Sequence, residues 1–143
     1  MTGSTSIKVT EAIGTMVAAI EGAECARIDL APDFDLPQVT DLQIVVSPQS
    51  YTRGNKGAAD RSAPDSGVKV SIAIMKKCAL KSEIPDMLAL SEKIATGIER
   101  KTLAGGAGLV TFVEFDPIYD MGIFRRMKVF ISVCTATVKV LQR

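Results

Sequence analysis

Residues 68 to 74 alternate in character. Val68, Val70, Ile72 and Ile74 fall on one side of an extended chain, and Lys69, Ser71 and Ala73 on the other. A period of two is the mark of a half-buried strand, so GVKVSIAIMKK predicts one over 67–77. Two other segments repeat at helical spacing. Val9, Ile13, Met16, Val17 and Ile20 share one face, with Lys8, Glu11 and Thr15 off it. This predicts a helix over 6–21, capped by Ser4, Thr5 or Ser6 and stopped at Gly22. The second helix is predicted over 85–102, with Pro85 in its first turn and Ser82 or Glu83 as cap. Its inward face is Ile84, Leu88, Ser91, Ala95 and Ile98, flanked by Met87, Ile94 and Lys101.

The rest of the apolar pattern is extended. ECARIDL (24–30) is a short strand or an extended segment, and Pro32 and Pro37 make the next stretch irregular. LQIVV (42–46) reads as a strand that stops at Ser47-Pro48, and LVTFVEF (109–115) as one that stops at Asp116-Pro117. IYDMGIFRR reads as a short connection. MKVFISVCTATVKV (127–140) is the longest β run and is apolar on both sides, so it belongs in a central or doubly covered position. Two amphipathic helices need one apolar sheet face. The expected fold is a two-layer α+β domain spanning 1–143. Its central sheet has about four strands, mostly antiparallel or mixed, with two main helices packed on it and a long loop between the second and third strands.

That loop, SPQSYTRGNKGAADRSAPDSG (47–67), holds almost nothing suited to a core. A structureless connection of more than about 15 residues is uncommon in a compact domain and is often functional. Tyr51, Arg53, Lys56 and Arg61 are its candidate contact residues. Two readings stand side by side: a tolerated flexible insertion, or an arm that orders against a partner or faces a charged lumen.

Composition narrows the chemistry. In 143 residues, a hydrophobic fraction of 47% supports a real core, and a net charge of +1 offers no footprint for a nucleic-acid or membrane-surface binder. Aromatics are 5% with no Trp, so a base-stacking platform is not expected. Histidine is absent, which removes Ser-His and Cys-His catalysis and His-based zinc sites together. Cys25, Cys78 and Cys134 have no CxxC spacing and read as reduced, mostly buried thiols of a protein made inside a cell. Glu11 and Glu21 flank the apolar N-terminal segment, which reads as a helix of a soluble protein and not as a signal peptide or membrane span. AGGAG lacks the GK[ST] ending of a phosphate loop and reads as a helix stop. Glu114, Asp116 and Asp120 are either a solvated strand end or a metal-dependent site, and the pairs Lys76-Lys77 and Arg125-Arg126 are either exposed edges or an interface. No catalytic residue, cofactor or metal is assigned.

The order of these elements resembles the tail terminator and tail-completion (neck) proteins of tailed bacteriophages and prophages. The resemblance runs from about Leu36 to Val140. It is carried by DLPQVTDLQIVVSP, the polar loop, VKVSIAIMKK, IPDMLALSEKIATGIER, VEFDPIYD and MKVFISVCTATVKV. It implies a structural virion protein, made in the host cytoplasm, that has no enzymatic activity. It also implies a self-assembled ring, commonly hexameric, whose partners are the tail tube protein and the head–tail connector. Phage DNA in the channel would be met by weak, sequence-independent contacts, and no membrane is involved. The arm residues Tyr51, Arg53, Lys56 and Arg61 and the basic pair Arg125 and Arg126 are the expected contacts. The competing readings are another head–tail completion or minor tail protein, a cellular α+β small-ligand binding module, and a small metal-dependent enzyme.

Overall fold

The period-two run becomes β3 (Gly67–Lys77), the middle of a sheet. The computed structural model describes residues 4–32, 35–53 and 66–140. On one side β3 pairs antiparallel with β2 (Gln43–Thr52), and on the other with β5 (Val129–Lys139). Strand β4 (Leu109–Phe115) pairs antiparallel with β5, and the two-residue β1 (Arg27–Ile28) pairs parallel with β2. Among the described residues this is a mixed five-stranded sheet of order β1-β2-β3-β5-β4. The α+β class and the largely antiparallel sheet agree with the sequence pattern; the short β1 supplies the extra strand.

One face of the sheet carries the main core. Val9, Ile13 and Val17 of α1 (Thr5–Ala18) and Met87, Ile94 and Ile98 of α2 (Ile84–Ile98) are buried together with Ile44, Val46, Val70, Ile72, Cys134 and Val138 of the sheet. The inward stripe of α2 is rotated from the expected one. Met87 and Ile94 are at its centre with Ser91 and Ile98, while Leu88 and Ala95 are only half-buried. The buried Ser91 is accommodated because its hydroxyl donates to the Met87 carbonyl at 3.0 Å. Ser4 caps α1 by accepting from the Ile7 amide at 3.3 Å. Helix α2 stops at Ile98, short of 102, because the chain turns back there: Arg100 adopts φ 63° and its amide donates to the Val110 carbonyl. AGGAG lies at the tip of this return, with Gly105 and Gly106 at positive φ, and so serves as a turn.

Two boundaries differ more. The second strand does not stop at Ser47-Pro48. It continues to Thr52, so the connection to β3 starts at Arg53, and residues 54–65 of it lie outside the described residues. Pairing with β3 carries the strand through: Ser47 faces Ser71, Pro48 faces Val70, and a bulge before Ser50 resets the register. IYDMGIFRR is not a plain connection either. Its last six residues belong to α3 (Met121–Met127). Asp120 starts this helix by accepting from the Ile123 amide at 2.9 Å, and Lys128 ends it in the left-handed region. Helix α3 and the turn Leu36–Gln38 cover one end of the second sheet face, where Val39, Val45, Ala73, Met75 and Val129 form a smaller core with Leu36 and Ile123. The rest of that face is open. Strand β5 is therefore central, with neighbours on both edges, but doubly covered only at its start; Val133 is already exposed.

The cap of α3 gives a direct test. Asp120→Ala leaves the Ile123 amide without its acceptor at the start of the helix that holds Phe124 in the core. The expected loss is about 1 kcal/mol in urea unfolding, and Asp120→Asn should recover most of it.

Candidate assembly surfaces

The described residues bring no catalytic constellation together. Glu114 sits on the open sheet face opposite Thr135. Asp116 and Asp120 share a cleft of about 130 Å³ with Pro117, Ile123, Ile131 and Val133, but Asp120 is engaged as the cap of α3. No group of three His, Cys, Asp or Glu able to hold a metal ion exists among the described residues. Burial pushes the Cys134 thiol up to about 12 and also raises that of Cys78, as expected of inert core thiols; Cys25 is exposed. No described helix is long and apolar enough to cross a membrane.

The expected contact residues fall into two groups at opposite ends of the sheet. Tyr51 is at the far end of β2, opposite the buried Val68, and is exposed. Arg53 is next along the chain and is exposed. Lys56 and Arg61 lie outside the described residues. Arg125 and Arg126 occupy the last turn of α3, where cations complement the helix dipole. The Arg126 Nε also donates to the Gly122 carbonyl at 3.4 Å. The length of β5 lies between the groups, about 30 Å at the usual rise per residue. They are not one site.

Both sheet edges are guarded against strand addition. The Asp29 amide donates to the Val46 carbonyl at 3.0 Å, so the polar groups of Val46 point outward from β3. Period two gives Pro48 the same outward sense. Proline has no amide hydrogen, so the outer ladder lacks a donor just where β1 ends, and the bulge after Pro48 bends the edge further. On β4, Arg100 and Lys101 take the backbone groups of Val110, and the Glu99 carboxylate accepts from the Val113 amide at 3.4 Å. Few backbone groups of β2 and β4 are thus left for strand addition, and the candidate association surfaces are those made by side chains.

Three such surfaces are visible. The open sheet face exposes Phe112 and Val133, with Gln49, Lys69, Glu114, Thr135 and Thr137 around a shallow depression. Gln49 accepts from the Thr135 hydroxyl at 3.2 Å across β3. A groove between the start of α2 and α3 is lined by Lys81, Ile84, Tyr119, Met121, Phe124 and Arg125. The β1 edge exposes Ile28 and Leu30. The sequence pattern missed the last two because it treats apolar residues as core. The available signal was that Leu30 and Leu80 lie outside every periodic stripe.

No protein-family model matches the chain, and no curated protein matches it. Solved structures do. A chain from the virion of a native gene transfer agent particle aligns with 97% of this chain and 98% of its own length, with a TM-score of 0.58 and 12% identity. A second match is to a structure of an extracellular contractile injection system, its sheath/tube terminator in the extended state, at a TM-score of 0.42 and 12% identity, covering 99% of this chain and 59% of that one. The chain thus shares, from end to end, the fold of a gene transfer agent virion component.

Proposed function

We propose that this chain is a structural protein of a phage-like particle, a ring-forming tail terminator or neck adaptor that caps the tail tube and joins it to the head connector. The observation that supports this most is the end-to-end fold likeness to a virion component, with almost nothing left over on either chain. The finer assignment to the terminator rests on the resemblance in element order. A ring subunit needs rigid association surfaces and no chemistry. The guarded edges, the open sheet face and the exposed apolar residues suit that role. Its partners are copies of itself, the tube protein and the connector, with weak contact to passing DNA. Electron microscopy of the parent particle, with this protein located by labelling, tests the reading. A ring at the head–tail junction is expected; absence from the particle would overturn it.

The β2–β3 connection is the proposed arm, carrying Arg53, Lys56 and Arg61 beyond Tyr51. Replacing residues 54–65 with a short glycine-rich turn should leave the melting temperature nearly unchanged, because pairing from Thr52↔Gly67 inward is kept. Tube capping should fail. Normal particle yield from the shortened chain would remove the arm's role.

A further inference from the structure

The second sheet face is open beyond the reach of α3 and the turn Leu36–Gln38. The register lays out what it carries. Lys69 on β3, Thr137 on β5 and Phe112 on β4 stand in one row. Ser71, Thr135 and Glu114 stand in the next, and Val133 follows on β5. Phe112 is 48% and Val133 39% exposed. Lys69 and Glu114 are exposed too, and both border one shallow depression. They are diagonal neighbours across β5, two strand spacings apart and one row offset, about 12 Å from backbone to backbone. Among the described residues the only ion pair is Arg27–Asp29, so neither Lys69 nor Glu114 has a charged partner there. Between them lie the short Thr135 and Thr137, and the Thr135 hydroxyl is turned aside to Gln49. Lys139 stands one row beyond, at the rim.

A patch with one positive corner, one negative corner and an exposed aromatic ring beside them is complementary to itself. Consider a two-fold axis in the plane of contact that crosses β5 between Thr135 and Thr137, at right angles to the Lys69–Glu114 diagonal. It sets Lys69 of each copy against Glu114 of the other and brings the two Phe112 rings together near the axis. On ordinary strand spacings the strands of the two copies then cross at roughly 70°, in the orthogonal class of sheet packing. Helix α3 stands at the other end of this face, clear of the axis. We infer that a second copy of this chain docks here face to face, as an isologous dimer held by two Lys69–Glu114 pairs around Phe112. Such a contact closes at two copies. It is therefore separate from the contacts that build a ring and does not rest on them. It withdraws the open face of the unassembled chain from other partners. The patch measures roughly 20 by 17 Å, small for a stable interface. The dimer is accordingly weak, with a Kd of about 0.1–1 mM, and is dissociated at the micromolar concentrations of an unfolding experiment.

NMR diffusion and amide shifts over a dilution series test the contact. The wild-type chain should dimerise as it is concentrated, and less so as salt rises, because the charges are at the surface. The amides that shift should be those of Lys69, Phe112, Glu114 and Thr135. Lys69→Glu and Glu114→Lys each set like charges against one another at both corners. Each alone should weaken the dimer at least ~10-fold, and melting temperatures should show that both still fold. Mixed one to one, the two variants face each other with opposite charges at both corners, and the dimer should return. The double variant Lys69→Glu/Glu114→Lys should dimerise by itself. Should a single variant unfold, Phe112→Ser serves in its place and should also lose the dimer. A wild-type chain that stays monomeric up to about 1 mM, a single variant that dimerises like wild type, or a mixture that stays monomeric would each overturn the contact. Particle microscopy reads the ring separately, and neither result decides the other.

Discussion

Phe130→Ala is expected to cost about 3–5 kcal/mol of unfolding free energy, the range for truncating a fully buried aromatic. Phe130 is completely inaccessible and is the largest fully buried side chain among the described residues. It sits at the start of β5 opposite Lys76, and its ring stacks on Tyr119 with centroids 5.4 Å apart and an angle of 22°. That stack does more than fill space. It joins β5 to the turn that leads into α3, which is also pinned where the Asp120 amide donates to the Ile131 carbonyl and where the buried Ser132 hydroxyl donates to the Ile118 carbonyl. Removing the ring opens a cavity and frees this turn at once. Equilibrium urea unfolding of the variant measures the loss. Phe112→Ala is the control: Phe112 lies on the open face at 48% exposure, and its loss should stay within about 0.5 kcal/mol. Similar losses for both would show that the open face is covered in solution.

Much of this architecture was legible in the residues. The alternation of β3 survives in the structure because one face is buried throughout, and a slip of one residue would turn Val68, Val70, Ile72 and Ile74 to the open side. The helices were legible for the same reason, although the centre of α2 rotated. Leu88 and Ala95 satisfy the helical period as well as Met87 and Ile94 do, and only the direction of approach to the sheet decides between them. Strand β2 ran past its apparent stop because Pro48 stands where no inward amide is needed. A proline breaks a strand only if its missing donor faces a partner. Helix α3 was lost in a stretch too short for periodicity, and only the cap at Asp120 announced it. The candidate contact residues were legible as polar or basic positions in connections, but not as two groups a strand's length apart. Leu30 and Leu80 stand outside every periodic stripe, which was the one signal for them, but how far each is exposed is a property of the assembled sheet.

Gly108→Ala should be nearly as damaging as the loss of Phe130, by a different route. Gly108 has φ 154°, a backbone conformation that side chains resist. A methyl group there would lie 2.6 Å from the Lys139 carbonyl oxygen and 2.8 Å from Val138 Cγ1. The oxygen belongs to a backbone held in the β5 ladder and has no rotamer by which to move away. Relief requires the start of β4 to swing off β5, which strains the pairs Leu109↔Lys139 and Val110↔Val138. It also strains the link from the Leu103 amide to the Gly108 carbonyl at 2.8 Å. Overpacking and backbone strain each cost about 1–3 kcal/mol, so a combined loss of about 2–6 kcal/mol is expected in urea unfolding. Gly105→Ala separates the two contributions. Gly105 also has positive φ, 73°, but a methyl group there meets nothing within 4 Å. It should cost only the left-handed penalty, about 1 kcal/mol. Equal losses at the two positions would mean that the β4–β5 contact yields without resistance. The edge strand would then be far looser than its pairing implies, and amide exchange at Val110 and Val113 would show it.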